Sequence, residues 1–221
     1  MLDSIADVDR LASSAIRVEH FATHRVVEAP LDALVSEVRA WMDVNDFDVV
    51  PILRNEQPLV VLRAELAKVD EDQPVAASAR PVLEEQLVPS STPLPIAFDV
   101  LRAHGWLLVY ENNDVTGIVT QTDMGRPAIS IYIFARLMSL EHGLRRLLGS
   151  YSNKPIADEP PNCPDSAGPK YLKDVLKAIR EIPELVESLG FSSRTAFDRG
   201  TNCLVDLRYH LAHGRSSLAQ A

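Results

Sequence analysis

The sequence predicts an α+β region followed by an all-α helical bundle. Up to about residue 127, short apolar β-prone runs alternate with stretches whose apolar residues recur at helical spacing. This order of elements occurs twice in that region. From residue 128 onward, the apolar residues recur at helical spacing alone. A chain of 221 residues can hold both parts, because domains commonly have roughly 100–200 residues.

The composition is that of a folded protein, with 46% apolar and 24% charged residues. No apolar run approaches the ~18 residues of a membrane-spanning helix. Residues 1–15 are acidic and amphipathic, which is not the pattern of a signal peptide. The two cysteines, Cys163 and Cys203, are far apart and lack CxxC spacing, which argues against a disulfide framework or a zinc site. We therefore expect a cytoplasmic protein without a membrane partner, a metal or a required cofactor.

The net charge of −9 is unevenly distributed along the chain. Residues 1–127 hold 10 Lys and Arg against 21 Asp and Glu, a net charge of −11. Residues 128–221 hold 12 against 10, a net charge of +2. The second part is therefore better suited to a polyanion than the first. Two domains with different surfaces would explain the same asymmetry.

The first copy of the repeated unit begins after an amphipathic helical stripe in residues 2–15. Helical spacing over residues 31–42 is followed by a buried-strand pattern in residues 47–53. Turn residues at 55–58 separate this strand from a second apolar run at 59–62. Residues 70–81, rich in charge, Pro and Ala, are interpreted as a linker between the copies.

The second copy repeats this order about 55 residues later. A helix is predicted for about residues 95–104, with Gly105 as its stop. Strands at residues 106–110 and 115–120 flank a turn at 111–114 that is rich in Asn and Asp. Duplicated units of this size usually pack on each other, because each alone would leave an apolar sheet face exposed.

The second copy closes with Gly117-Ile-Val-Thr-Gln-Thr-Asp123. This stretch, together with the duplicated strand–turn–strand order, resembles a tandem CBS pair (a Bateman module) over residues 1–127. The copies would span about residues 13–68 and 82–127, preceded by the N-terminal helix. The family signature is Gly-hydrophobic-x-Thr-x-x-Asp. The resemblance implies that an adenine nucleotide or a related adenosyl ligand binds at Thr120, Thr122 and Asp123.

The first copy departs from this signature. Aligned on its second strand, it has Leu59 for the Gly, Leu62 for the Thr and Glu65 for the Asp. Because leucine cannot supply the hydroxyl, we expect one of the two possible clefts to be empty. A purely structural interpretation of the second copy also stands, in which Thr120 caps the turn and Asp123 caps the next helix.

Residues 128–221 are predicted to be helical. Residues 128–148 form a wide apolar stripe in which Leu140 is expected to face inward, and the exposed side is expected to carry Glu141 and Arg145, among others. A proline-rich loop at 149–168 leads to a helix at 171–182, and Pro183 should break or restart that helix. The residues of this helix expected to face inward are Leu172, Val175, Leu176 and Ile179. A last helix is expected to run to about His213.

The last helix contains Leu207-Arg208-Tyr-His-Leu-Ala-His213-Gly214. This stretch resembles the Arg-x(4–6)-His motif of HEPN domains. The resemblance implies a metal-independent endoribonuclease that acts as a homodimer, with Arg208 and His213 as catalytic residues. The chemistry agrees, because histidine titrates near pH 7 and the arginine fork can stabilise a pentacoordinate phosphate.

Two observations limit the catalytic interpretation. Tyr209 stands where HEPN domains often have a polar residue such as Asn. Basic side chains at a helix C-terminus are also favoured by the helix macrodipole alone, without any catalytic role.

We therefore consider two hypotheses. In the first, a nucleotide-sensing CBS pair controls a HEPN-type RNase in a stress or defence response. In the second, the protein is a non-catalytic sensor whose bundle dimerises or recruits a partner.

Overall fold

The computed structural model describes residues 5–53, 57–152 and 171–212. The chain divides into two compact units, one formed by Ile16–Arg126 and the other by Met1–Ala15 together with Pro127–Ala221. The predicted division at residue 127 therefore needs one correction. The N-terminal helix, expected to accompany the CBS pair, packs on the first long helix of the other unit. Its apolar stripe indicated that it would pack, but could not indicate on which element.

The α/β unit contains two three-stranded sheets. In the first sheet, β2 pairs antiparallel with both β1 and β3. In the second sheet, β5 pairs parallel with β4 and antiparallel with β6. Each sheet thus contains one hairpin, which confirms the predicted duplication. The strands are β1 (Val49–Ile52), β2 (Leu59–Leu62), β3 (Arg80–Pro81), β4 (Leu87–Pro89), β5 (Trp106–Glu111) and β6 (Asp114–Thr120).

Two helices of this unit end at residues with a left-handed backbone conformation. Gly105, with a φ of 80°, ends the helix that precedes β5, as predicted from glycine's tolerance of positive φ. Asp46, with a φ of 54°, ends the corresponding helix before β1. Asn112 and Asn113 have positive φ and turn the β5–β6 hairpin. The helices are α2 (Val35–Asn45), α3 (Arg63–Leu66) and α4 (Leu94–His104).

Residues 70–81 are part of the first repeat and not a free linker. Val75 is fully buried, and its amide donates to the carbonyl of Ala33 at 2.8 Å. At the end of this segment, β3 pairs with β2. The charged and proline residues of this stretch suggested a linker, but they flank an apolar anchor that the core of the repeat requires.

The second unit consists of helices. Pro183 begins a new helix, as its missing amide hydrogen predicts. Ser193 caps the last helix, because its Oγ accepts from the amide of Ala196 at 3.1 Å. The helices are α1 (Ile5–Ala15), α5 (Pro127–Ser152), α6 (Leu172–Arg180), α7 (Pro183–Ser188) and α8 (Arg194–Ala212). None of the helices in the described ranges is long and apolar enough to cross a bilayer.

One face of α5 differs from the prediction. Glu141, expected on the exposed side, is only 4% exposed, whereas Leu140, expected to be inward, is 40% exposed. Charge alone predicts exposure for Glu141, but its carboxylate is paired with arginines inside the bundle. The predicted inward stripe of α6 is confirmed, since Leu172, Val175, Leu176 and Ile179 are all buried.

Candidate functional site

The end of β6 positions the predicted ligand-binding residues. Thr120 is the last residue of the strand, and a 3₁₀ turn follows at Gln121–Gly125. The turn brings Asp123 back toward the strand end, so that Oδ2 accepts from the amide of Thr120 at 2.8 Å. The hydroxyls of Thr120 and Thr122 lie 2.7 Å apart. The structure therefore brings Thr120, Thr122 and Asp123 together.

Asp123 is buried and satisfied by protein groups. Its side chain is 7% exposed. Besides the Thr120 amide, Oδ2 receives a longer contact of 3.3 Å from the Thr120 hydroxyl. Oδ1 accepts from Arg126 Nε at 2.8 Å and from the Thr23 hydroxyl at 3.2 Å. The arginine also donates through Nη2 to Thr23 Oγ1 at 2.6 Å. The buried carboxylate thus has the paired donors that its charge requires.

Sequence reasoning missed Thr23, which lies 100 residues before Asp123. Its segment pairs with β6, because the amides of Thr23 and Ile118 each donate to the other's carbonyl, at 2.9 and 3.1 Å. Gly117 permits this approach. A Cβ atom there would meet Ala22 Cβ at 3.3 Å and the Thr23 carbonyl at 3.4 Å. The glycine of the signature therefore has a physical role in bringing this segment to the site.

These groups line one side of a cleft of about 150 Å³ within the α/β unit. Other parts of its wall are apolar and come from β1 and from the segment after Thr23. Its lining is Thr23, Arg25, Val26, Val27, Asp46, Phe47, Asp48, Val49, Val50, Pro51, Ile118, Thr120, Thr122 and Asp123. The cleft is therefore formed jointly by the two copies of the repeat.

One arginine contacts two carboxylates at the edge of the cleft. Asp46 and Asp48 have highly exposed side chains, and both contact the guanidinium of Arg63. The hydrogen bond from Arg63 to Asp48 is the main cause that raises the pKa of the arginine above its ordinary value. This edge is therefore less negative than its two carboxylates alone would make it.

The equivalent position in the first copy is built differently. Val49 pairs with Leu62 in the hairpin of the first copy, and Trp106 pairs with Thr120 in the hairpin of the second. Leu62 is therefore the counterpart of Thr120, and Trp106 is the counterpart of Val49. Trp106 is buried in an apolar cluster that includes Val60, and Leu62 packs against that cluster. A large indole and a leucine thus stand where the cleft has a valine and a hydroxyl. That one of the two clefts is empty stays a prediction.

The helical unit contains a second cluster of charged residues. The carboxylate of Glu141 is 5% exposed and accepts from Arg208 Nε at 2.7 Å through Oε2. Its other oxygen, Oε1, is bonded to Arg145, one turn along α5. Glu141 therefore joins α5 to α8 and fixes the orientation of the Arg208 guanidinium. Sequence reasoning missed this role, although the Glu141–Arg145 spacing of four residues was a signal for a pair on one helix.

The structure describes only part of the predicted catalytic motif. His213 lies outside the described residues, so its pairing with Arg208 stays a prediction. Tyr209 is 48% exposed on α8. The Nδ1 atom of His210 is buried without a hydrogen-bond partner in the part of the chain that the structure describes. No group of three or more possible metal ligands occurs among the described residues.

The chain is similar to several solved structures, at low sequence identity. Similar solved structures include a CBS-domain protein from Pyrobaculum aerophilum complexed with AMP, at 20% identity over 52% of this chain and 95% of that chain, with a TM-score of 0.45. Another is the CBS domain of a bacterial CNNM/CorC family Mg²⁺ transporter in complex with ATP, at 17% identity over 57% and 92%, with a TM-score of 0.46. A third is a putative acetoin utilization protein from Vibrio cholerae, at 19% identity over 58% and 96%, with a TM-score of 0.45.

No protein-family model matches the chain, and no curated protein does. The structural similarity concerns the fold and extends over about half of the chain. The HEPN resemblance of residues 128–221 stays a prediction.

Proposed function

We propose that this protein is a regulatory protein that binds an adenine nucleotide in the cleft beside Asp123. The observation that carries the proposal is the buried carboxylate at the cleft wall, with the hydroxyls of Thr23 and Thr120 beside it. A carboxylate accepts hydrogen bonds from ribose hydroxyls, and threonine hydroxyls both donate and accept. This combination suits the sugar and phosphate of a nucleotide.

The rest of the cleft suits the other parts of such a ligand. Val49, Val50 and Ile118 offer apolar contacts for a purine ring. Arg25 is an exposed cation in the same lining and can pair with a phosphate. Arg63, which contacts Asp46 and Asp48, lowers the repulsion that these carboxylates would exert on a phosphate.

Calorimetric titration of the full chain tests this proposal. AMP and ATP, the ligands of two of the similar structures, are the first two ligands to use, followed by ADP and S-adenosylmethionine. Saturable binding that Asp123→Ala abolishes is expected. A chain that binds none of these four ligands at millimolar concentration contradicts the proposed function.

We further propose that the helical unit is the effector, a metal-independent endoribonuclease that uses Arg208 and His213 on a bound RNA. Glu141 supports this role for Arg208, because its carboxylate accepts from Nε and orients the guanidinium, whose Nη groups can contact a phosphate oxygen. The net charge of +2 in residues 128–221 favours a polyanionic substrate there. Cleavage of labelled RNA with EDTA present is the test.

A second candidate function is non-catalytic. Tyr209 follows Arg208, and Glu141 already neutralises one guanidinium of the cluster. Under this proposal the bundle forms a homodimer or binds a partner protein once the nucleotide is bound. Light scattering at micromolar concentration, with and without AMP, measures self-association. A dimer without RNase activity favours this candidate, whereas activity favours the first.

A further inference from the structure

The four contacts to the carboxylate of Asp123 fall into two classes by length. The Thr120 amide and Arg126 Nε each donate at 2.8 Å, one to each oxygen. The Thr23 and Thr120 hydroxyls lie farther away, at 3.2 and 3.3 Å, again one for each oxygen. Each oxygen therefore has one short contact and one long contact.

The two classes also differ in how easily they can be replaced. The short contacts come from a backbone amide and from a guanidinium that a second bond to Thr23 holds in place. The long contacts come from hydroxyls, which rotate freely about the C–O bond and carry one proton each. The Thr120 hydroxyl has an alternative partner in Thr122 at 2.7 Å. The long contacts are thus the ones that an incoming donor would replace.

The long contacts lie on the side of the cleft. Thr23 and Thr120 both line it, whereas Arg126 is not one of its lining residues. Arg126 therefore holds the carboxylate from outside the cleft. Once the two hydroxyl contacts are displaced, one acceptor position on each oxygen of Asp123 is open to groups that enter the cleft.

Two adjacent acceptor positions on one carboxylate match the two neighbouring hydroxyls of a ribose. We propose that Arg126 is a positioning residue, which fixes the rotation of the Asp123 carboxylate so that each oxygen receives one ribose hydroxyl. Arg126 thereby sets a preference for ribonucleotides over 2′-deoxyribonucleotides. The inference rests on the proposed function, because it requires a nucleotide in this cleft.

The physical reason is the cost of an imperfectly paired charge. A ribose replaces both hydroxyl contacts, whereas a 2′-deoxyribose replaces only one and returns the other oxygen to its weak contact. This difference depends on a carboxylate whose plane is fixed. Without Arg126, Asp123 retains one fixed donor at Oδ2 and can turn, so that it accommodates either sugar more equally.

The test measures the dissociation constants of AMP and 2′-deoxy-AMP by calorimetry for four forms of the full chain. These are the wild type, Arg126→Ala, Arg126→Lys and Arg102→Ala. Arg102 is a matched control, because it also pairs with an aspartate three residues earlier, Asp99, but both side chains are highly exposed. The melting temperature of each form is recorded as well.

The wild type is expected to bind AMP about ten- to a hundredfold more tightly than 2′-deoxy-AMP, the range for a hydrogen bond to a charged group. Arg126→Ala should reduce this ratio to within about threefold of unity, and Arg126→Lys should restore part of it, because one charged donor to Oδ1 remains. Arg102→Ala should keep the ratio of the wild type.

Three results would overturn the inference. If the wild type binds AMP but Arg126→Ala weakens both ligands equally, Arg126 has only a structural role and the proposed function stands. If the wild type binds neither ligand, both the inference and the proposed function are wrong. If Arg126→Ala is unfolded at the assay temperature, the ratio for Arg126→Lys decides. An unchanged ratio contradicts the inference, and a reduced one supports it.

Discussion

Glu65 Oε1 lies 3.5 Å from Arg80 Nη1 in the first repeat, at the place where the second repeat has Asp123 and Thr23. The correspondence follows from the strand registers. Val60 on β2 is equivalent to Ile118 on β6, and Arg80 pairs with Val60 as Thr23 pairs with Ile118. In one copy the aspartate is combined with a small hydroxyl side chain beside an open cleft. In the other, the carboxylate is combined with a long arginine. The two copies therefore differ in their capacity to hold a ligand.

We expect one nucleotide per chain. Calorimetric titration with AMP should give a stoichiometry near one, because Trp106 and Leu62 fill the position equivalent to the cleft. Glu65→Ala should leave the affinity within about twofold of the wild type, since its carboxylate pairs with Arg80 away from the cleft. A stoichiometry of two, or loss of binding in Glu65→Ala, would show that the first copy also binds ligand.

The buried carboxylate of Asp123 should contribute to stability even without a ligand. Asp123→Asn removes the charge that Arg126 and the Thr120 amide satisfy, so the α/β unit should lose about 1–3 kcal/mol of unfolding free energy. Fluorescence during urea unfolding reports this unit, because Trp41 and Trp106 both lie within Ile16–Arg126.

The matched control for this measurement is Asp99→Asn. Its partner Arg102 is 3.5 Å away, and both side chains are more than three-quarters exposed. Removal of such a pair should change the unfolding free energy by roughly 0–1 kcal/mol. Equal effects of the two substitutions would mean that burial of Asp123 has no energetic consequence in solution.

Glu141 should be essential to the stability of the helical unit. Glu141→Ala leaves Arg145 and Arg208 without their shared partner, and breaking a buried pair in this way commonly costs about 3–5 kcal/mol. Circular dichroism should therefore show helix unfolding at lower urea, whereas Glu187→Ala, an exposed glutamate on α7, should not change it. An unchanged helical transition in Glu141→Ala would contradict the role inferred for the buried pair.

The RNase proposal predicts coupled losses of activity. Arg208→Ala and His213→Ala should each remove most of the cleavage, and the double variant should lose little more, because both groups act on one transition state. EDTA should have no effect, and products should end in a 2′,3′-cyclic phosphate, as expected for attack by the neighbouring hydroxyl.

A conservative substitution separates catalysis from folding in this experiment. Arg208→Lys keeps a charge near Glu141, but loses the planar fork that can contact two phosphate oxygens. It should preserve most of the helical stability while it lowers cleavage at least tenfold. If wild-type and His213→Ala proteins cleave RNA at equal trace rates, the activity is contamination and the non-catalytic proposal stands.

The sequence by itself determined the features that depend on neighbours along the chain. The β5–β6 hairpin follows from Asn112 and Asn113, because few other residues tolerate positive φ. The end of α4 follows from Gly105, and the duplicated order of elements follows from apolar periodicity. Thr120, Thr122 and Asp123 could be predicted together because one turn of four residues holds them.

Only the tertiary structure decided which distant groups complete each site. Thr23 reaches Asp123 across 100 residues, and Arg208 reaches Glu141 across 67. The exposure of Glu141 was wrongly predicted because hydropathy treats a carboxylate as a surface group, whereas a buried carboxylate is stable once arginines from two helices share it. Periodicity shows which face of a helix is apolar, but it cannot specify the element that packs against that face.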